Sequence, residues 1–218
     1  MGALFARNGN MTRNQQHILY RVAAPADSEA IVHLLADVFP KHDPPAVAIG
    51  VTTPEFEEFV RLLLPQSEVD GLTLVAQQHG TGELAGVMLS LDSASPMPEA
   101  LDRLPPKFLP VFEILGHLED QYRKGSLPSP GESVHLYLLG VSSRFAGQGI
   151  AQRLVSESTA TAARRGYRFA VTEATNRTSQ HIFRKNNFVE RVQGSYALNP
   201  VFASIVNHGG PILMDKAI

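Results

Sequence analysis

The segment between residues 144 and 150 has the residue types of an anion-binding turn. It follows the apolar run VHLYLLGV, which is typical of a central strand buried on both faces, and it precedes apolar residues with helical spacing. Its glycines would let the backbone approach a ligand closely, and the free N–H groups of a helix start would attract a diphosphate. Its residues are Arg144, Phe145, Ala146, Gly147, Gln148, Gly149 and Ile150. A tight turn without a ligand is the alternative interpretation.

The spacing of these glycines differs from that of the two best-known phosphate-binding loops. A P-loop places Lys and Ser or Thr after its last glycine, whereas Ile150 and Ala151 follow Gly149 here. The dinucleotide-binding fingerprint needs a third glycine three residues further on, and that position is occupied by Gln152. The segment therefore indicates a phosphate cradle of another kind.

The elements that would position this turn alternate between strands and helices. A short β-like run follows His17, and LTLVAQQ and ELAGVMLSL indicate a hairpin. Apolar residues share one helical face between Phe108 and Tyr122, and a second helix from about residue 147 ends at Gly166. The segments FVERVQGSYAL and PILMDK read as final strands, and the Pro-rich segment 40–52 reads as a loop. This order predicts an α/β (α+β) fold with a mixed sheet and helices on both faces.

Composition limits the classes of function. The chain has 218 residues, of which 44% are hydrophobic, and its net charge is −2, which argues against disorder and against a nucleic-acid partner. The absence of cysteine excludes a thiolate nucleophile, and the eight histidines lack metal-ligand spacing, so we expect no metal. No apolar run has the length of a membrane span, so we expect no membrane partner and a cytoplasmic location. We expect a flexible arm over residues 1–16 and a single domain over 17–218.

The pattern Arg144-x-x-Gly147-x-Gly149 after an apolar strand resembles the acyl-CoA motif of the GNAT N-acetyltransferase superfamily. The stretch from Tyr20 to Asp27 is similar to the first strand and helix entry of that family, and Asn176 to Phe188 is similar to its late helix. The resemblance spans about residues 17–218. It implies the GNAT fold with a seven-strand central sheet, and acetyl-CoA as co-substrate.

Two shorter matches point to arylalkylamine acetyltransferases. The strand from His135 to Val141 resembles the corresponding strand of the serotonin-type enzymes, and the loop from Val38 to Pro45 resembles a loop of the insect enzymes. The resemblance implies that the strand carrying Leu139 to Val141 splays from its neighbour and binds the pantetheine arm through its backbone, with one N–H facing the thioester oxygen. The residues that would do so are Leu139, Gly140 and Val141.

Acetylation of an amine requires removal of a proton from the ammonium form. His135 and Tyr137 lie two residues apart on a strand, so they face the same side. If that side faces the substrate, His135 is the best candidate for the base, directly or through water, and Tyr137 could orient water. A histidine that merely hydrogen-bonds a neighbour is the alternative. Asp43 could attract the cationic amine, or could serve the turn that precedes two prolines.

Phe183 occupies the position at which many family members carry the tyrosine that protonates the leaving thiolate. Phenylalanine cannot donate a proton, so Ser179 or water would take that part, unless Ser179 is a surface residue. Asn176 is expected near the cofactor, as the N-cap of the next helix, or as both. Glu173 could reach the cleft or form a surface ion pair, and we expect the surface ion pair.

The sequence thus predicts an acetyl-CoA-dependent enzyme that acetylates a primary amine of a small molecule, with arylalkylamines among the candidates. A protein lysine or N-terminal acetyltransferase of the same family is one alternative. A non-catalytic acyl-CoA-binding module is the other alternative, because the side chain of Phe183 has no proton to donate to the leaving thiolate. A monomer or a homodimer is expected.

Overall fold

A mixed seven-stranded sheet is the framework of the fold. The computed structural model describes residues 17–218, so the arm predicted over residues 1–16 lies outside the described residues. The strands are β1 (Ile18–Val22), β2 (Leu74–Gln78), β3 (Leu84–Asp92), β4 (Ser133–Val141), β5 (Phe169–Ala174), β6 (Val189–Gln193) and β7 (Ile212–Ala217). They lie in the order β1-β2-β3-β4-β5-β7-β6. Only the pair β4 and β5 is parallel among these strands, and the remaining neighbours are antiparallel.

Helices cover both faces of the sheet, as the sequence predicts. The helices are α1 (Ser28–His42), α2 (Pro44–Ala48), α3 (Thr53–Asp70), α4 (Leu109–Arg123), α5 (Ile150–Arg164) and α6 (Arg177–Lys185). One core lies between the sheet and α1 and α3, and a second lies between the opposite face and α5 and α6. Helix α4 packs through Leu118 against Val171 and Leu213, on the same side of the sheet as α1 and α3. Among the described residues, no helix has the length and apolar character needed to cross a membrane.

Strands β4 and β5 pair over only part of their length. Their ladder ends where His135 pairs with Val171, whereas β4 continues along β3 to Val141 and β5 continues along β7 to Ala174. The Thr172 hydroxyl donates to the Leu136 carbonyl oxygen at 2.9 Å at the point of divergence. The sheet therefore forks between its two central strands, as the resemblance implied.

A β-bulge at Tyr137 changes which face of β4 each side chain occupies. Leu138 pairs with Leu89 and Leu136 pairs with Ser90, so Tyr137 is the additional residue. Leu136 packs in the core beneath α5, whereas Tyr137 and Leu138 pack on the α1 side. Bulges redirect side chains in this way and are frequent beside active sites.

The loop predicted over residues 40–52 is largely helical. Helix α1 continues through Pro40 in its last turn, and α2 begins with two prolines in its first turn. Proline is tolerated at the first positions of a helix because the N–H groups there have no intrahelical acceptor. The strand predicted over 188–198 is also shorter: β6 ends at Gln193, and Tyr196–Leu198 forms a 3-10 turn.

Candidate active site

A cavity of about 160 Å³ lies on the α1 side of the sheet at the fork between β4 and β5. Strand β4 contributes the residues from Leu136 to Leu139, and β5 with the following loop contributes those from Thr172 to Asn176. Helices α1, α2, α3 and α4 and the first residues of α6 close the remaining sides. The cavity therefore reaches the unpaired backbone edge of β4.

Aromatic rings form much of the cavity wall. They are Phe39, Phe56, Phe59, Phe108, Phe112, Tyr137 and Phe183. Phe39 stacks on Phe56 with ring centroids 5.0 Å apart, and Phe59 contacts the rings of Phe108 and Phe112 at 5.8 and 5.9 Å. Each ring is held by another ring, so the wall has a defined shape. A flat apolar group of small size would fit it.

A buried ion pair lies at the β5 side of this cavity. Glu173 lines the cavity, and its Oε2 lies 2.6 Å from Nε2 of His135. The two side chains are 7% and 13% exposed. The other carboxylate oxygen, Oε1 of Glu173, is buried and has no hydrogen-bond partner within residues 17–218. The surface ion pair expected for Glu173 is therefore wrong, because β5 directs this side chain inward toward His135.

The Glu173 carboxylate controls the protonation of His135. Burial by itself would lower the pKa of the imidazole, but the adjacent carboxylate attracts the protonated form, and the net pKa lies above its ordinary value. The Tyr137 ring meets the imidazole edge-on at a centroid distance of 5.0 Å. Burial raises the pKa of the Tyr137 phenol, so this hydroxyl stays protonated.

A second carboxylate of the cavity, that of Asp43, is fully engaged in hydrogen bonds. Its Oδ1 accepts from the Thr175 hydroxyl at 2.5 Å, and its Oδ2 accepts from the Ala46 N–H at 3.3 Å as the cap of α2. Burial raises the pKa of Asp43, while the donors Thr175, Ala46 and Asn176 oppose that rise. Asp43 thus ties the α1–α2 junction to the loop after β5.

The start of α6 is organised by Asn176 and Ser179. Asn176 Oδ1 accepts from the Ser179 N–H at 2.9 Å, so Asn176 is the N-cap that one interpretation of the sequence predicted. The Ser179 hydroxyl donates to the Asn176 carbonyl at 2.9 Å, and both residues line the cavity. Phe183 is 2% exposed and packs on Phe188, so the proton-donor position of the family is apolar here.

The turn before α5 has the geometry of an anion cradle. Gly147 and Gly149 both have φ of +76°, and a Cβ added to either would meet no atom within 4 Å. Within the described chain, no backbone carbonyl accepts from the N–H groups of residues 147–152. Arg144 is exposed and pairs with Glu83 at 2.6 Å. Open space, free N–H groups and a cationic side chain fit a CoA diphosphate.

The sequence model of the acetyltransferase (GNAT) family matches residues 51–188, which is more than half of the chain. The chain belongs to the GNAT acetyltransferase family. No curated protein sequence matches it significantly. The turn at residues 144–150 lies within the range that matches the GNAT model.

Solved structures share the GNAT fold at low sequence identity. The C-terminal condensation domain of Ebony, in complex with β-alanyl-dopamine, is 14% identical with a TM-score of 0.85, and the match covers 94% of this chain and 100% of that one. Arylalkylamine N-acetyltransferase 2 from Aedes aegypti is 21% identical with a TM-score of 0.75, covering 92% and 99%. The Drosophila melanogaster polyamine N-acetyltransferase, which catalyses formation of N-acetylagmatine, is 18% identical with a TM-score of 0.72, covering 93% and 100%.

The GNAT fold brings five of the predicted site residues to one cavity. Those that line it are Asp43, Tyr137, Leu139, Asn176 and Ser179. His135 lies behind Glu173 and is not part of the lining, while Gly140, Val141 and the turn 144–150 lie further along β4 and at its end. Sequence reasoning favoured the surface for Glu173 over the cleft and missed its contact with His135, although a single acidic residue within the apolar run RFAVTEA was the available signal.

Proposed function

We propose that the chain is an acetyl-CoA-dependent N-acetyltransferase that transfers acetyl directly to the primary amine of a small molecule with an aromatic body. The observation that carries this proposal is the aromatic cavity, which opens at the fork of β4 and β5 and contains the carboxylate of Glu173. Apolar pockets with a few placed polar groups are typical of small-molecule sites. A cationic amine with a flat apolar group matches both features.

Acetyl-CoA would supply the activated acetyl group. Its diphosphate would lie against residues 144–150, and its pantetheine arm would lie along the free edge of β4 from Leu139 to Val141. The unpaired N–H groups of this edge and of the turn support such placement. The edge leads directly into the cavity, because Leu139 belongs to both.

The side chains of the cavity would then prepare the amine. Its ammonium form must lose a proton before it can attack, and the His135–Glu173 pair is the buried acid–base system beside the cavity. The Tyr137 hydroxyl could hold water or meet the leaving thiolate, and the Ser179 hydroxyl could do so once it leaves the Asn176 carbonyl to which it donates. The solved neighbours are in keeping with this proposal, since arylalkylamines and the dopamine part of β-alanyl-dopamine both carry an aromatic ring joined to nitrogen through an alkyl chain.

A CoA-release assay with three acceptors tests the proposal. Phenethylamine has an aromatic body, agmatine has a second cation, and a short peptide presents an N-terminal amine on a bulky chain. We expect kcat/KM to be highest for phenethylamine, because the cavity is small and aromatic. A preference for the peptide would support the protein acetyltransferase instead, and acetyl-CoA binding without turnover of any amine would support the non-catalytic module.

Location and assembly are expectations from the sequence. A cytoplasmic enzyme without nucleic-acid or membrane partners, acting as a monomer or homodimer and needing no metal, remains the prediction.

A further inference from the structure

We infer that Glu173 is the group that binds the substrate's ammonium and first accepts its proton, and that His135 is a positioning residue that holds this carboxylate. The inference rests on the proposed amine acetylation and deepens it by naming the residue that meets the amine. The base is then the carboxylate of Glu173, which lines the cavity, and not the imidazole of His135, which lies behind that carboxylate.

The unpartnered oxygen of Glu173 is the first observation. Oε1 is buried with no donor in reach among the described residues, although a buried carboxylate oxygen without a donor is costly. Oε2 is already occupied by His135 at 2.6 Å. A carboxylate that is held at one oxygen and free at the other, in the wall of an apolar cavity, is suited to receive a donor from a ligand. A primary ammonium supplies such a donor together with the opposite charge.

The comparison with Asp43 is the second observation. Both Asp43 and Glu173 line the cavity, but Asp43 accepts hydrogen bonds at both oxygens from Thr175 and Ala46. Its carboxylate is used to cap α2 and to anchor the loop after β5. Glu173 is therefore the carboxylate with capacity left for a substrate.

The ammonium RNH₃⁺ gives one proton to Oε1 of Glu173, and the nitrogen lone pair then forms the C–N bond to the thioester carbonyl carbon. The C–S bond breaks, the nitrogen loses a second proton, and the thiolate of CoA takes one proton. The products are the amide and CoA-SH, and the proton held by Glu173 is released to solvent as the pair resets.

Charged groups around the imidazole come from three elements. Glu173 on β5 is the nearest, Tyr137 lies on the same strand as His135, and α4 presents Glu119 and Arg123. Glu119 and Arg123 pair with each other, so Glu173 is the anion that pairs with His135. The imidazole is thereby kept as a partner of that carboxylate.

Binding measurements test the ammonium site without requiring turnover. The wild-type chain and Glu173→Gln, each saturated with CoA, are titrated with phenethylamine and with the neutral 2-phenylethanol by calorimetry. We expect Glu173→Gln to weaken phenethylamine binding by about tenfold or more, the loss of a charge-assisted contact, and to leave 2-phenylethanol unchanged. Equal weakening of both ligands, or of neither, would overturn the inference. Glu119→Gln removes a nearby carboxylate that does not line the cavity and should change neither affinity.

Kinetics separate the two residues. Glu173→Gln should lower kcat/KM for phenethylamine by about 10²–10⁴-fold and remove the part of the rising pH limb that belongs to the enzyme, so that only the rise from ionisation of the amine remains. His135→Gln should lower kcat and shift that limb while KM changes little, because the carboxylate remains. Retention of rate and limb in Glu173→Gln, with loss of both in Asp43→Asn, would assign the amine site to Asp43.

A second variant, Glu173→Asp, tests the inference if Glu173→Gln does not fold. Glu173→Asp keeps the charge and shortens the side chain by one methylene, so it should retain selectivity for the cation and lose kcat. If the wild-type chain acetylates none of the amines, the proposed function fails, whereas the calorimetric comparison still decides whether Glu173 binds an ammonium.

Discussion

The carboxylate of Asp43 accepts a hydrogen bond at 2.5 Å from the hydroxyl of Thr175, a residue 132 positions later in the chain. The bond joins the α1–α2 junction to the loop between β5 and α6. The same loop is held by Tyr196, whose hydroxyl donates to the Thr175 carbonyl at 2.7 Å. Two sides of the cavity are thus fixed to each other by side chains that also form its lining.

Replacement of Thr175 by valine removes this donor and keeps the shape of the side chain. We expect the free energy of unfolding to fall by about 1–3 kcal/mol, because a carboxylate in the cavity wall loses a hydrogen bond. Urea denaturation measures the change. Thr178→Val, at an exposed position in the first turn of α6, is the matched control and should change stability little. Equal stability of the two variants would contradict the role given to this bond.

Gly140 allows α1 to pack closely on β4. A Cβ at this position would lie 2.8 Å from Leu35 Cδ2 and 3.2 Å from Leu34 Cδ2, both in buried side chains. Gly140→Ala should therefore destabilise the fold by about 1–3 kcal/mol through overpacking. Gly116→Ala in α4 meets nothing within 4 Å and should be neutral or stabilising by up to about 1 kcal/mol. A thermal melt that ranks the two variants in the opposite order would refute the packing argument.

The proposal that the turn at residues 144–150 binds the CoA diphosphate is tested by two substitutions at Gly149. Alanine there must adopt a φ of +76°, so it reports backbone strain alone. Glutamate adds the same strain and a carboxylate that would occupy the anion site at the start of α5. We expect acetyl-CoA affinity, measured by calorimetry, to fall at least about tenfold further in Gly149→Glu than in Gly149→Ala. Equal affinities in the two folded variants would remove the diphosphate from this turn.

The shift of the His135 pKa from its ordinary value should reverse direction when Glu173 is neutralised. In the wild-type chain Glu173 outweighs burial and holds the pKa above about 6.5. In Glu173→Gln, burial remains without the carboxylate, so the pKa should fall below that value. The ring ¹⁵N chemical shifts of His135, identified by their loss in His135→Gln, measure both. An unchanged pKa would show that Glu173 does not control the imidazole.

The free energy of unfolding should change with pH as His135 titrates. Because the folded-state pKa of His135 is raised, its contribution is fully present below about 6.5 and is lost as pH rises through the folded-state value. Glu173→Gln should lack this loss at the alkaline end. Urea midpoints across the pH range compare the two proteins.

The sequence was sufficient to predict most strands and helices and the turn before α5. Alternating strands and helices and the glycines before Ile150 are local patterns, and the sheet and α5 confirm them. It was not sufficient at residues 40–52, because prolines that break a helix interior also start a helix when a residue such as Asp43 caps it.

The contact between His135 and Glu173 could not be predicted from the local sequence, for a different reason. The residues are 38 positions apart, and they meet only because β4 and β5 are parallel neighbours whose ladder ends at His135. The bulge at Tyr137 likewise depends on the register between β3 and β4. Pairing between distant strands is decided by the whole sheet, so neither feature has a signal within a short window.

Single turnover with excess enzyme over acetyl-CoA, followed by mass spectrometry, tests the central claim most directly. In the presence of phenethylamine, we predict N-acetylphenethylamine and CoA in equal amounts, and we predict no acetylated protein when the amine is omitted. Acetyl-CoA that binds and remains intact with every amine offered would contradict the claim that this cavity acetylates a small amine.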